Sequence, residues 1–163
     1  MALGACTPLQ QQQWQDQEDA WMRDTVRRHG WAVQYAAGAP PFAYTVGLYG
    51  LGHAELLVYG LDLQASAWVL NQLGDKIRDG ERFGPGRPLR LAGWAHRLQL
   101  FPFHDGDDPP VLGSAQRFYG RDAADPVPAL QLIWDDAAGR FPWEDGYELP
   151  AGLQPAPRPH SPR

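Results

Sequence analysis

The sequence predicts an α+β fold, a single mostly antiparallel sheet of about five to six strands with two long helices and one short helix packed against it. Three observations carry this. Short stretches alternate in polarity or run continuously apolar, bounded by Gly and Pro. The connections between the first three of them are too short for a parallel crossover, which needs a dozen or more residues. Two longer segments carry apolar residues at helical spacing.

Trp14, Trp21, Met22 and Val26 share one broad face at a period of 3.6, with Asp16, Arg23, Asp24 and Arg27 turned away, and Gly30 is placed to end that helix. Trp31, Val33 and Tyr35 then alternate with Ala32 and Gln34 as a strand, interrupted by the turn Gly38-Ala39-Pro40-Pro41. Phe42, Tyr44 and Val46 point to one side of a second strand, and Ala43 and Thr45 to the other. Glu55 to Tyr59 is almost continuously apolar, as expected of a central strand covered on both faces.

Asp62 suits the N-cap of a second helix whose stripe is Ser66, Val69, Leu70, Leu73 and Ile77, ending near Gly80. After the rigid loop Gly84 to Pro88, Leu89 to Leu91 and His96 to Phe101 read as strands. Ser114 to Tyr119 is a short helix stopped by Gly120. Ala129 to Trp134 is a long strand with Leu130, Leu132 and Trp134 on one face.

Residues 1–13 carry a Gln run without apolar period and are expected to be a flexible segment. Residues 14–149 are expected to form one domain and the Pro-rich 150–163 a disordered tail. At 163 residues one core is possible, since a chain of this size buries roughly two-thirds of its unfolded surface. The net charge of -5 argues against a nucleic-acid partner, which needs a clustered positive field. No window approaches the roughly 18 apolar residues of a membrane span. A single cysteine, Cys6, excludes an internal disulfide and a multi-thiolate metal site and suits a reducing, cytoplasmic compartment.

His53 and Glu55 lie two apart, the spacing that puts two strand side chains on one face, where a carboxylate can orient an imidazole or share a metal with it. Gly52-His53 reads equally as a turn before the strand. His29 falls in the last turn of the first helix, where the helix dipole favours a cation and from where it can join His53 in a cleft. Tyr44 and Thr45 face opposite sides, so one of them at most lines a given pocket. Gln131 sits in an apolar strand and needs amide partners if buried. Asp135 and Asp136 follow that strand either as metal-binding carboxylates or as turn residues. Trp134 and Trp143, with Phe141, offer either an aromatic wall for a flat ligand or a lid over the core. Arg82, Arg87 and Arg90 are an anion patch or a solvated loop, and His104 to Asp108 lacks calcium-loop spacing and reads as a polar turn. No P-loop, nucleophile elbow or dinucleotide fingerprint is present.

His29-Gly30-Trp31, Phe42-Ala43-Tyr44-Thr45-Val46-Gly47-Leu48, Gly52-His53-Ala54-Glu55-Leu56 and Ala129-Leu130-Gln131-Leu132-Ile133-Trp134 together resemble one family, the bacterial domain of unknown function 4262. Asp136, Gly139, Arg140, Phe141, Pro142 and Trp143 extend the likeness, which spans about Ala20 to Tyr147. Ala54 stands where that family is expected to have proline. The resemblance implies an intracellular bacterial setting and carries no activity, cofactor or ligand with it.

Two readings follow. One is a non-catalytic binding or accessory module for a small molecule or protein, working through an aromatic end formed by Trp31, Trp134 and Trp143. The other is a small metal-assisted hydrolase using His53 and Glu55 with His29 or Asp135. Nothing in the sequence names a cofactor.

Overall fold

A computed structural model of the chain describes residues 4–155. Its elements, in order, are α1 (Pro8–His29), β1 (Ala32–Ala36), β2 (Phe42–Val46), a 3-10 turn (Leu48–Leu51), β3 (Glu55–Tyr59), α2 (Leu63–Arg78), β4 (Leu89–Arg90), β5 (Arg97–Phe103), α3 (Gly113–Tyr119) and β6 (Ala129–Trp134). The six strands form one open sheet in the order β1-β2-β3-β6-β5-β4. β1, β2 and β3 are the antiparallel meander that their short connections require. The pairing of β3 with β6 is parallel, because α2, β4, β5 and α3 all intervene, and the remaining pairs are antiparallel. This is the α+β architecture the alternation predicts.

Helices cover both faces of the sheet. On one face α2 buries Val69, Leu70, Leu73 and Ile77 against Trp31, Leu56, Val58, Leu98, Leu100, Leu130, Leu132 and Trp134. Each such aliphatic side chain contributes about 1.5–3 kcal/mol relative to exposure. Asp62 caps α2 by accepting from the Ala65 amide, as its position predicts. On the other face Met22 of α1 and Ala115 of α3 pack with Ala32, Tyr44, Val46 and Leu57.

α1 starts six residues earlier than its apolar period. Thr7 and Gln10 form a reciprocal capping box, with Pro8 in the first turn, so residues 8–13 of the segment expected to be loose are helical. The predicted stripe on α1 is only partly used. Met22 is buried, whereas Trp14 is 65% and Trp21 52% exposed.

The tail expectation also needs correction as far as Pro155. Gln154 is buried, accepts from the Trp134 amide at 3.0 Å and donates to the Trp134 carbonyl at 2.9 Å, so a side-chain amide stands in for a strand neighbour beyond the end of β3. Residues 156–163 of that expectation lie outside the described residues.

Candidate functional site

An open groove of about 540 Å³ lies on the face that carries α1 and α3. Phe42 and Tyr44 of β2, with Gln34 and Ala36 of β1, form its floor. α1 supplies Gln11, Trp14, Gln15 and Glu18 on one side, and Pro110, Val111, Gly113, Ser114 and Arg117 face them. These contributions follow from strand alternation: Phe42 and Tyr44 point to the same side of β2, and the helices leave a gap above them.

Arg117 bridges the gap. Its guanidinium donates to Asp19 of α1 at 3.2 Å and lies 3.7 Å from Glu18. The Gln15 amide oxygen, in the orientation its neighbours dictate, accepts from Arg117 at 3.2 Å. Behind this bridge lies a smaller cavity of about 160 Å³ that Met22, Ser114 and Phe118 help to line.

Two buried polar assemblies hold the groove in shape. The Tyr44 hydroxyl accepts from the Ser114 amide at 3.0 Å, tying the floor to the start of α3, and burial pushes its pKa up. Asp105 accepts from the amides of Val111 at 2.7 Å and Leu112 at 2.9 Å and from the Gln116 side chain at 2.9 Å. Gln116 in turn accepts from the Val127 amide. The acidic run His104 to Asp108 reads as a polar surface turn, yet Asp105 alone turns inward and fixes the groove wall. No spacing in the sequence separates it from Asp107 and Asp108, because only the fold brings the waiting amides to it.

Glu55 is fully buried. Its carboxylate accepts from Thr45 Oγ1 at 2.6 Å, the amides of Gly47 at 2.9 Å and Tyr49 at 3.0 Å, and the Tyr119 hydroxyl at 2.7 Å. Burial raises its pKa, and the four donors oppose that rise. Gly47 makes the arrangement possible: at φ +124° it brings its N–H to the carboxylate, and a Cβ there would meet the Gly30 carbonyl oxygen at 2.5 Å. Thr45 is thus spent inside the fold. It donates to Glu55 and accepts from the Leu56 amide at 2.9 Å.

His53 does not join Glu55. The strand begins at Glu55, so the same-face rule does not extend to His53, which sits in the turn after Gly52. Its Nδ1 lies 2.7 Å from the Ala54 carbonyl and its Nε2 accepts from the Phe83 amide at 3.0 Å, which fixes the tautomer protonated on Nδ1. Both ring nitrogens therefore tie a loop to a turn. His29 is exposed at the end of α1 with its ring 4.5 Å from that of Trp31.

The remaining candidates are likewise engaged locally. Asp135 accepts from the Arg97 amide at 3.0 Å and from Arg97 Nε at 2.9 Å. Asp136 accepts from the amides of Arg140, Ala138 and Glu148, and these N–H groups, Arg140's foremost, hold its carboxyl below the ordinary value. Gln131 donates to the Pro155 carbonyl at 2.6 Å. Trp134 donates from its indole to the Tyr59 carbonyl at 2.9 Å. Trp143 stacks on Phe141 at 4.9 Å and meets Phe101 of β5 edge-on. Arg82 is spent on the carbonyls of Leu51, Ile77 and Glu81, while Arg87 and Arg90 are exposed.

The predicted aromatic end therefore does not exist as a surface. Trp31 and Trp134 are core residues, and the exposed tryptophans are Trp14 and Trp21. Of the residues singled out from the sequence as ligand contacts, only Tyr44 lines the groove. Among the described residues no three His, Cys, Asp or Glu side chains come together as a metal site, and no helix is long and apolar enough to cross a membrane.

Comparison with curated proteins and with solved structures returned no match. The model of one family, described as Domain of unknown function (DUF4262), matches residues 25–148, which takes in every strand, α2 and α3. The chain belongs to that family.

Proposed function

We propose that the protein is a non-catalytic binding module whose ligand, a small molecule or a short protein segment, seats in the groove between α1 and α3. The observation that carries this reading is the composition of the groove: an aromatic floor of Phe42 and Tyr44, an exposed Trp14, and the side chains of Gln11, Gln15 and Gln34 along the lining of about 540 Å³. Apolar lining with a few placed polar groups is what a ligand site of modest size presents. The carboxylates and imidazole that an acid-base reaction would need are instead committed to backbone amides and carbonyls. The exposed, unpaired thiol of Cys6 fits a reducing bacterial cytoplasm.

A thermal-shift screen of amino acids, short peptides, nucleosides and divalent metals tests the reading. A ligand at 100 times its dissociation constant stabilises the fold by about 2.7 kcal/mol. The expected hit contains an apolar group flanked by amide or hydroxyl groups, and its shift disappears in Trp14→Ala. A hit whose shift survives Trp14→Ala and Gln11→Ala binds elsewhere and overturns the assignment.

A further inference from the structure

The smaller cavity behind Arg117 and the groove in front of it share two lining residues, Ser114 and Arg117, so one ligand can enter both. Met22, 1% exposed, and Phe118 give the cavity an apolar interior between α1 and α3. At about 160 Å³ it has the size for one ring or one branched aliphatic group, since an apolar cavity of about 150 Å³ takes up benzene.

The free polar capacity at this cavity is that of donors. Ser114 is 6% exposed; its Oγ accepts from Arg117 Nη2 at 3.4 Å, and its own proton meets no acceptor among the described residues. Arg23 lines the same cavity from α1 and is exposed. Among the described residues its guanidinium has no acidic partner: Asp19 pairs with Arg117, and Asp24 with Arg27 and Arg28. Two guanidinium groups thus stand against one carboxylate in the lining, and the hydroxyl adds a further donor.

We infer that the ligand of the groove is a peptide C-terminus. Its last side chain, aromatic or branched aliphatic, fills the cavity against Met22 and Phe118. Its terminal carboxylate lies between Arg117, Arg23 and the Ser114 hydroxyl, where charge-assisted hydrogen bonds favour it. A single apolar group beside a negative charge is what this combination of volume and donors selects. The rest of the peptide runs along the groove, where Gln11, Gln15 and Gln34 carry the paired donors and acceptors that backbone amides match. The stretch of α1 from Gln11 to Arg23 is about 18 Å long at roughly 1.5 Å per residue, the span of about five residues of extended chain at roughly 3.3 Å each. The inference rests on the groove reading and adds to it the class and direction of the ligand.

Isothermal titration of the full chain with acetylated pentapeptides tests it. The panel has leucine or alanine at the first four positions and leucine, phenylalanine or alanine last, each as the free acid and as the C-terminal amide. Free acids ending in leucine or phenylalanine are expected to bind at least tenfold more tightly than their amides and than acids ending in alanine. Arg23→Gln and Ser114→Ala, which keeps the backbone N–H that donates to Tyr44, should each weaken the acids and leave the amides unchanged, a selectivity that loss of fold does not produce. Acids and amides that bind equally, both lost in Trp14→Ala, overturn the carboxylate site while the groove reading stands. Acid-selective binding untouched by Trp14→Ala removes the groove from the site and overturns the peptide with it. N-acetylphenylalanine binding as tightly as the best pentapeptide overturns the inference too, because the ligand is then a small acid, and so does a panel in which no peptide binds.

Discussion

The hydroxyl of Tyr119 donates to Oε1 of Glu55 at 2.7 Å across 64 positions of sequence, so the last residue of α3 closes a carboxylate buried at the start of β3. Burial pushes the pKa of both groups upward, and the charge on Glu55 adds to the rise at Tyr119. A carboxyl whose pKa is raised in the folded state contributes stability that is fully present below its ordinary value of 4.5 and is lost as the pH rises through the folded value.

Glu55→Gln removes that titration and leaves at least one of the four donors facing an N–H. The variant should be less stable by about 1–3 kcal/mol at neutral pH. The gap to the natural protein should be widest in acid and narrow as the pH rises. Urea unfolding at intervals between about pH 4 and 8 measures it, and a gap that is flat or widens with pH contradicts the assignment.

Asp136 titrates in the opposite sense. Backbone N–H groups hold its carboxyl below 3.8, so its contribution is present above that value and lost as the pH falls through the folded value. Asp136→Asn should lower the Tm at neutral pH, and the deficit should close in strong acid. A deficit independent of pH would mean that the loss is one of packing.

Gly74 is the point at which α2 meets the indole of Trp31. A Cβ at this position would lie 2.5 Å from Trp31 Cε2. Gly74→Ala improves helix propensity by about 1 kcal/mol, yet overpacking costs about 1–3 kcal/mol. The crowding should win, and calorimetry should show a lower Tm. A stabilised variant would show that Trp31 has room to move.

Gln154 anchors the chain after the last strand. Gln154→Ala strips the Trp134 amide and carbonyl of their partners and should cost about 1–3 kcal/mol. Truncation after Leu149 should cost at least as much by denaturant unfolding. An unchanged midpoint for the truncation would show that this segment adds nothing to stability.

Local chemistry made much of the fold legible. The alternation of Phe42 to Val46, the continuous apolar run of β3, the Asp62 cap and the stripe from Ser66 to Ile77 each follow from a period or a single residue, and each sits where those rules put it. The beginning of α1 was less visible, because the Gln run masks it and only the Thr7 and Gln10 pair announces the start.

The candidate site was legible in Tyr44 alone. Spacing brought His53 and Glu55 together on paper, but the turn at Gly52 ends the alternation before Glu55, and each side chain finds its own backbone partners. Trp31, just ahead of β1, and Trp134 of β6 are as aromatic as Trp14 and Trp21 but went to the core, in the cluster that α2 covers.

By itself the sequence determined the elements, their order and the two-sided burial of β3, since helical and strand periods depend on near neighbours. Only the tertiary structure decided which polar groups are consumed inside and which face a groove. That outcome depends on contacts such as Tyr44 with Ser114 and Arg117 with Asp19, made by residues far apart along the chain, whose pairing no local period encodes.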